Sequence, residues 1–310
     1  MRERVALVSA RAARHVDEDL APLLAALAAT DLDAAVADWD DPQVDWAAYR
    51  LAILRSTWDY TQRLPEFLAW ADRTAARTTL INPPAVIRWN TDKHYLRELA
   101  RAAVPVVPTR FVEPGASAAQ ELGGFLTSEE GVAEWVVKPA VGAGSRDAAR
   151  YARGEERTAR EHIERLLHAG HSVLLQPYLD QVDLHGETGL IYFGGRFSHA
   201  IRKGPLLRPG AAPAGALFLE EHITPRVPGA EELRIADRVL AALPFATPLY
   251  ARVDLIQSPD GEPRVLELEL TEPSLFFAHA PEAARRFADQ IVLASARAEL
   301  RPRGGLPAAD

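Results

Sequence analysis

Residues 249–270 read LYARVDLIQSPDGEPRVLELEL, two β-forming runs on either side of a turn-rich SPDGEP. The pattern predicts a β-hairpin. Side chains alternate faces along a strand. Arg252 and Asp254 therefore share one face, as do Glu267 and Glu269, while Val253, Leu255, Leu266, Leu268 and Leu270 turn away. With Gln257 set opposite Arg264, Asp254 falls opposite Glu267 and Arg252 opposite Glu269. Three carboxylates and one guanidinium then line a single face. Like charges opposed on a sheet destabilise it, so this face calls for a counter-charge. A hard divalent cation with oxygen ligands, such as magnesium, supplies one. A solvent-facing hairpin with ordinary surface acids would carry the same letters, and the lysines are what favour the first reading.

Of the 35 Lys and Arg residues, three are lysine and 32 arginine. The three are Lys93 in WNTDKHYL, Lys138 in EWVVKPAVGAGSRD and Lys203 in HAIRKG. In a chain whose default cation is arginine, a lysine marks a place where a compact, movable ammonium serves better than a planar fork. Phosphate is such a ligand. Biased codon usage is the plainer account, and the positions of the three favour the functional one. Lys138 ends an apolar strand over 134–138 and opens a loop whose Gly142 and Gly144 let backbone N–H groups approach phosphate oxygens. The loop is neither GxxxxGK[ST] nor GxGxxG, which disfavours a P-loop and a dinucleotide site.

Around these segments the chain reads as α/β. A strand at 4–9, a helix over Leu20–Ala29 and a strand at 50–54 predict a small parallel unit. Arg55, Ser56, Thr57, Trp58, Asp59 and Tyr60 follow, at the strand end where open α/β sheets hold ligands. In one reading Arg55 grips a substrate carboxylate in a bidentate way and Asp59 pairs an ammonium. In the other, Ser or Thr caps the next helix, Trp58 and Tyr60 are core, and Arg55 ties two lobes together. INPP at 81–84 breaks the pattern, and Thr91 or Asp92 caps a helix containing Lys93. AVPVVPT at 103–109 reads as a linker, 157–168 as a helix and 172–176 as a strand. Gly194-Gly195 turns a second hairpin over 187–202, and a helix over 281–300 closes the fold.

Composition sets outer limits. The 310 residues, 48% hydrophobic and 25% charged, suit about two folded domains. A net charge of −8 with dispersed arginines argues against a nucleic-acid partner. The absence of cysteine excludes disulfides, thiolate catalysis and Cys-ligated zinc. The start becomes charged after a short apolar run, unlike a signal peptide, and no apolar stretch approaches the ~20 residues of a membrane span. A cytoplasmic protein without a membrane partner is expected.

Taken in order, the motifs resemble the ATP-grasp superfamily over roughly residues 55–277: Lys93, VVKP with its Gly-rich loop, QPYL with the later Glu187, His199–Lys203, RVD and ELEL. Within it, RSTWDY, INPP, WNTDKHYL, VPT, GETGLIYFGGRFSHAIRK and ELELTEPSLFF resemble one branch, which includes the cyclo-ligase that closes O-ureidoserine in cycloserine biosynthesis and related small-molecule ligases. Each motif is short, and the ordered set is what is specific. The resemblance implies an ATP-grasp fold: an N-terminal pre-ATP-grasp α/β domain over 1–88, a linker helix and central lid lobe over 89–176, and a C-terminal lobe with the metal site over 177–310. Two lobes would clamp ATP. Lys93 and Lys138 would bind nucleotide phosphates, Gln176 and the backbone near Leu179 the adenine, and Glu187 the ribose. Arg202 and Lys203 would sit over the phosphates or the acyl phosphate, Asp254, Glu267 and Glu269 would hold two magnesium ions, and Arg252 would stand beside the transferring phosphoryl. Glu269 departs from the Asn of many relatives, and the Gly-rich loop is Ala-substituted.

The implied function is an ATP- and magnesium-dependent ligase that activates an amino-acid-like carboxylate as an acyl phosphate for attack by nitrogen, closing a ring in cycloserine-like small-molecule biosynthesis. Joining two molecules as a dipeptide or amide is the alternative within the class, and a non-catalytic nucleotide-binding regulatory protein the rival outside it. A homo-oligomer is compatible with the sequence.

Overall fold

The computed structural model describes residues 2–129, 131–210 and 221–299. Three sheets organise the chain. The first is parallel, in the order β2-β1-β3-β4, from β1 (Glu3–Ser9), β2 (Leu32–Asp38), β3 (Leu51–Ser56) and β4 (Thr79–Ile81). Alternation sorts its residues cleanly. Val5, Leu7, Leu51 and Ile53 pack with α1 (Leu20–Ala28) and α9 (Ala283–Glu299), whereas Ala6, Val8, Ala52 and Leu54 join Trp39, Trp46 and the Phe67 and Trp70 of α2 (Leu64–Ala75). Both faces are covered, as parallel sheets require. The sequence reading missed β2: its Ala-rich LDAAVAD carries little β-propensity and no clear alternation of apolar and polar residues. Residue 300 of the expected closing helix lies outside the described residues.

The second sheet is antiparallel, in the order β5-β8-β6-β7, from β5 (Arg110–Val112), β6 (Glu134–Pro139), β7 (Ala149–Ala152) and β8 (Val173–Pro177). On β6, Trp135 and Val137 bury against α5 (Ala118–Ser128) and α6 (Glu156–His168), which turns Val136 and Lys138 to the opposite face. On β8, Val173 and Leu175 do the same and present Gln176 beside Lys138.

The third sheet, β11-β10-β9-β12-β13, contains both expected hairpins: β9 (Glu187–Phe193) with β10 (Arg196–Lys203), and β12 (Tyr250–Gln257) with β13 (Pro263–Glu269). A short α7 (Gln181–His185) precedes β9, β11 (Ile223–Arg226) pairs with β10, and α8 (Ala230–Ala241) packs against β12 and β13. Arg252 pairs with Glu269 and Asp254 with Glu267 as expected, but Gln257 pairs with Pro263 and Ile256 with Arg264. A bulge after Asp254 absorbs the extra residue. It leaves Leu266 packed against Val107, Leu179 and Ile256 instead of joining Leu268 and Leu270 in the neighbouring core.

The stretch expected as a linker is held to that sheet. Val107 N donates to Val265 O at 3.0 Å and Val265 N to Pro105 O at 2.8 Å. The free edge of β13 is satisfied by side chains of α3 (Pro84–Asn90) and α4 (Tyr95–Arg101): Leu270 N donates to Asn90 Oδ1 at 2.6 Å, and Leu268 N to Tyr95 OH at 3.0 Å. Buried Asn82 donates to Leu270 O at 2.6 Å. Neither Thr91 nor Asp92 caps α4; Asp92 Oδ1 instead accepts His94 N at 3.0 Å. Among the described residues no helix is long and apolar enough to cross a membrane.

Candidate active site

The second and third sheets face each other across a cavity lined by Lys93, Lys138, Gln176, Glu187, Lys203 and Glu267. Gly142, Gly144, Leu179 and Glu269 line it as well, so the expected nucleotide ligands converge on one place. Gln176 is fixed by donating to Thr109 Oγ1 at 2.8 Å. The Gly-rich loop is fixed through a carbonyl: Lys93 Nζ donates to Gly142 O at 2.8 Å. Gly144 takes φ +60, a conformation that a side chain disfavours and that lets the loop fold over the cavity mouth.

The acidic hairpin supplies the floor. Asp254 is buried, accepting from Arg252 Nε and Nη2 at 2.9 Å each and from Lys203 Nζ at 2.8 Å. Lys203 also pairs with Glu187 at 2.8 Å, Lys93 with Glu267 at 2.9 Å, and Arg252 with Glu269. Room for Asp254 comes from Gly189 on β9, directly opposite, where a Cβ would lie 3.1 Å from Asp254 Oδ1. The three cations thus provide the counter-charge that the hairpin calls for.

Titration follows this pairing. Burial works to raise Asp254, but Arg252 and Lys203 overcome it and hold the carboxyl down at about 2. Burial likewise opposes charge on Lys203, which Asp254 and Glu187 nevertheless keep well above the usual lysine range. Lys138 has no ion-pair partner among the described residues, and burial pushes it down to about 8. Glu269 is raised to about 7 by burial despite Arg252, with Glu267 and Asp254 adding to the shift. Glu272, which the sequence reading did not single out, is raised to about 8 by burial and by Glu269, with the Tyr60 hydroxyl beside it. Negative charge is in local excess here.

A second cavity adjoins the first. Lys203, Gly144, Glu267, Glu269 and Glu272 line both. Its remaining wall comes from segments that follow β1 and β3 (Asp17, Asp19 and Trp58), from Arg252 of β12, and from the loop after β13 (Ser274 and Phe276). Asp17 and Asp19 stand after β1, a parallel-strand carboxyl end of the kind that carries ligands in α/β sheets. That rule was available in the sequence but was applied only to β3.

The residues expected to bind substrate lie elsewhere. Arg55 and Ser56 belong to β3 itself and, like Thr57, are fully buried. Arg55 Nη2 donates to Pro273 O at 2.9 Å and stands 3.8 Å from Asp19. Ser56 bonds Ser9 hydroxyl to hydroxyl at 2.7 Å. Asp59 accepts from Trp39 Nε1 at 2.8 Å and from Arg63 at 3.5 Å, and it lines neither cavity. Arg202 is also turned away, donating to His185 O at 2.7 Å and Leu184 O at 3.2 Å. Consecutive strand residues point to opposite faces, so Arg202 could not accompany Lys203.

Among the described residues no group of three or more His, Asp or Glu is preformed as a metal cage. The donor set nevertheless suits a hard cation. Glu267 and Glu269 are partly exposed carboxylates facing the cavity, beside Glu272, whose proton is held by burial and by the charge of Glu269.

Comparison with known proteins agrees with this geometry. Residues 5–82 match the family model described as D-cycloserine synthetase DcsG, N-terminal domain. The chain is 40% identical over 293 residues to the cycloserine biosynthesis protein DcsG of Streptomyces lavendulae, covering 93% of this chain and 97% of that protein. The crystal structure of D-cycloserine synthetase DcsG superposes with a TM-score of 0.89 at 39% identity, over 95% of this chain and 99% of that one. A D-alanine–D-alanine ligase from Bacillus anthracis shares the fold at TM-score 0.67 and 16% identity, covering 96% and 98%. With two facing sheets, a lysine-lined cavity and this degree of identity, the chain belongs to the DcsG family of ATP-grasp ligases, which are ATP-dependent carbon–nitrogen ligases.

Proposed function

We propose that this ligase activates an amino-acid-like carboxylate as an acyl phosphate and closes it to a ring by attack of the molecule's own nitrogen, with O-ureidoserine in cycloserine biosynthesis as the substrate. The observation that carries the reading is the meeting of two cavities at Lys203, Glu267, Glu269 and Glu272. One cavity has the lysines and the Gly-rich loop suited to a nucleotide, and the other has the acidic and cationic side chains suited to a small zwitterion. Their junction is where phosphate and carboxylate would meet. The 40% identity to a cycloserine biosynthesis protein supports the choice of substrate.

Lys93, Lys138 and the loop at Gly142 and Gly144 would hold the phosphates, Gln176 and Leu179 the base, and Glu187 the ribose. Glu267 and Glu269, with Asp254 behind them, would hold two magnesium ions. When bound there, these would neutralise charge on the nucleotide and the transferring group. Arg252 and Lys203 stand ready to stabilise negative charge developing at the junction. In the first step the γ-phosphoryl passes to the substrate carboxylate, releasing ADP. In the second, nitrogen attacks the acyl carbon, a C–N bond forms, the C–O bond to phosphate breaks, and the nitrogen's proton leaves with phosphate or water. The acyl phosphate must be kept from bulk water, which the Gly-rich loop and the walls of the two cavities would do once nucleotide and substrate fill them. We place these roles across three lobes, 1–88, 89–176 and 177–310.

ADP release measured across a panel of amino-bearing carboxylates that includes O-ureidoserine tests the reading. ADP and cyclic product from a single substrate are expected. ADP only when a second amine is added would favour intermolecular ligation. No ADP with any member would reject the ligase assignment.

A further inference from the structure

The first cavity has an apolar end. Val107, Leu179, Val182 and Ile256 pack together and line it, and Tyr178, which lines it too, is set against them. Tyr178 lies in the short connection from β8, which ends at Pro177, to α7, which begins at Gln181. That connection carries the chain from the second sheet to the third. Its backbone is tied to the second sheet where Tyr178 N donates to Glu134 O at 2.9 Å.

The Tyr178 side chain is held from behind by a cation. On β7, Arg150 pairs with Val136, which pairs in turn with Gln176 on β8. Residues paired across strands share a face, so Arg150 stands on the face that gives Val136 and Gln176 to the cavity. The Tyr178 ring lies over it, with the guanidinium carbon 3.5 Å from the ring centroid. Arg150 is 8% exposed and grips Glu134 with two bonds, Nε to Oε1 at 3.0 Å and Nη2 to Oε2. Its Nη1 donates to Asp183 Oδ2 at 3.4 Å, and the Tyr178 hydroxyl donates to Asp183 Oδ1 at 2.5 Å. Asp183 belongs to α7, which leads through Gly186 into Glu187. A buried ion pair adds little net stability, because desolvation offsets its attraction. What the planar, bidentate grip supplies is orientation.

We infer that Arg150 is a positioning residue for nucleotide binding: it holds Tyr178 against the apolar end of the cavity, where the base would lie, and ties that wall to α7. The inference rests on the nucleotide reading above and deepens it by naming what keeps the base end in shape. Through Asp183 the same clamp reaches the helix that sets Glu187, the residue proposed for the ribose. Arg150 touches neither nucleotide nor reacting atoms, so it acts on affinity and not on the chemical step. Lysine would supply the charge without the flat stack or the two-pronged grip.

The test measures AMPPNP affinity, ATP KM and kcat for ADP formation with O-ureidoserine, and melting curves, in wild type, Arg150→Lys, Tyr178→Leu and the double variant. Arg150→Lys should weaken AMPPNP binding and raise the ATP KM by about tenfold, the scale of one desolvated cation–π contact. Its kcat at saturating ATP should stay within about twofold of wild type. Tyr178→Leu removes the same stack from the other side and should cost about as much. The double variant should lose no more than about twofold beyond either single one, because both changes break one contact. A folded Arg150→Lys that binds AMPPNP within about twofold of wild type overturns the inference, as do losses that multiply in the double variant. A fall in kcat as large as the loss of affinity also overturns it. If Arg150→Lys does not fold, Tyr178→Leu decides, and AMPPNP affinity within about twofold of wild type there overturns the inference. If the wild type binds no AMPPNP, the nucleotide reading falls and takes this one with it; binding that ignores both substitutions overturns this one alone.

Discussion

The β12–β13 hairpin and the end of β3 both read as charged clusters at strand termini, yet one faces the cavities and the other is sealed in the interior. At the hairpin, four charged groups sit on one face of an antiparallel pair whose other face is apolar; Glu267 and Glu269 line the cavity, and Asp254 is buried behind them, bonded to Lys203. At β3, Arg55 follows residues buried on both faces of a parallel sheet, and it ends 0% exposed against Pro273 O, Asp19 and the rings of Tyr250 and Phe287. Alternation predicts which residues share a face. Whether that face meets solvent depends on what the rest of the chain lays over it. The loop after β13 covers Arg55, and nothing near residue 55 announces that.

The largest effect should come from breaking the hairpin's side of this contrast. Glu267→Gln and Asp254→Asn should each reduce ADP formation by about 1,000-fold, the scale of losing an electrostatic group at a transition state. The two variants should differ in stability. Asn at 254 leaves Arg252 and Lys203 without their shared buried carboxylate, whereas Gln at 267 strands only Lys93. Turnover within tenfold of wild type in either variant would remove the hairpin from the active centre.

Arg55→Ala probes the other side. The substrate-site reading of Arg55 requires loss of amino-acid affinity with the fold intact. The geometry instead predicts destabilisation of about 3 kcal/mol, because a buried pair loses one member and the Pro273 carbonyl loses its donor. Thermal melting should fall, and nucleotide and substrate affinities should weaken together. A selective rise in substrate KM at unchanged melting temperature would restore Arg55 to the substrate site.

Within the cavity, Lys138 and Lys203 repeat the contrast on a smaller scale. Lys203 is locked between Glu187 and Asp254, whereas Lys138 has no ion-pair partner among the described residues. Lys138→Arg should weaken nucleotide binding by about tenfold, nearly as much as Lys138→Ala, because a planar fork cannot reproduce the ammonium's contacts. With Lys138 at about 8 when folded and 10.5 when unfolded, the unfolded chain binds more protons between those values. Apo stability should therefore gain from this group as pH rises through that window. Nucleotide binding at pH 9 should take up a proton, seen by calorimetry in buffers of different ionisation enthalpy. Binding without proton uptake would show that Lys138 does not meet the phosphates.

Much of the fold was legible because its signals are local. Gly194-Gly195 fixes one hairpin, SPDGEP the other, and the alternation of EWVVK places Lys138 opposite Trp135 and Val137. The hairpin's charged face was read correctly even though the assumed Gln257–Arg264 pair is wrong, because the bulge lies on the loop side of Asp254. What escaped were long-range partners. Asn82, Asn90 and Tyr95 clamp the edge of β13 from 170 to 190 residues away in sequence, and each reads locally as an ordinary helix or turn residue. Arg202 was misplaced for a local reason: its neighbour Lys203 was taken as its companion, against strand alternation. Asp17 and Glu272 escaped because the carboxyl-end rule was followed at β3 and not at β1, and because Glu272 lies just beyond the strand that was read.

The smallest expected effect concerns Glu272, the junction carboxyl whose pKa burial raises most. Its folded pKa of about 8 stands above the ordinary 4.5, chiefly through burial and then through Glu269. The folded protein therefore binds more protons between these values. Glu272 contributes stability that is complete below pH 4.5 and is lost as pH rises through 8. At pH 9 the apo protein must bury this carboxylate beside other acids. Glu272→Gln keeps the shape and an acceptor for the Tyr60 hydroxyl while removing the charge. It should raise the apo melting temperature at pH 9 by roughly 2–4 °C, about 1 kcal/mol for a chain of this size, and change it little at pH 6. Magnesium and nucleotide, bound as proposed, should shrink the difference by supplying positive charge. An equal shift at both pH values would mean that the side chain acts through shape alone. A fall at pH 9 would mean that its ionised form already has a cationic partner in solution, and that the excess of negative charge between the two cavities is smaller than their geometry implies.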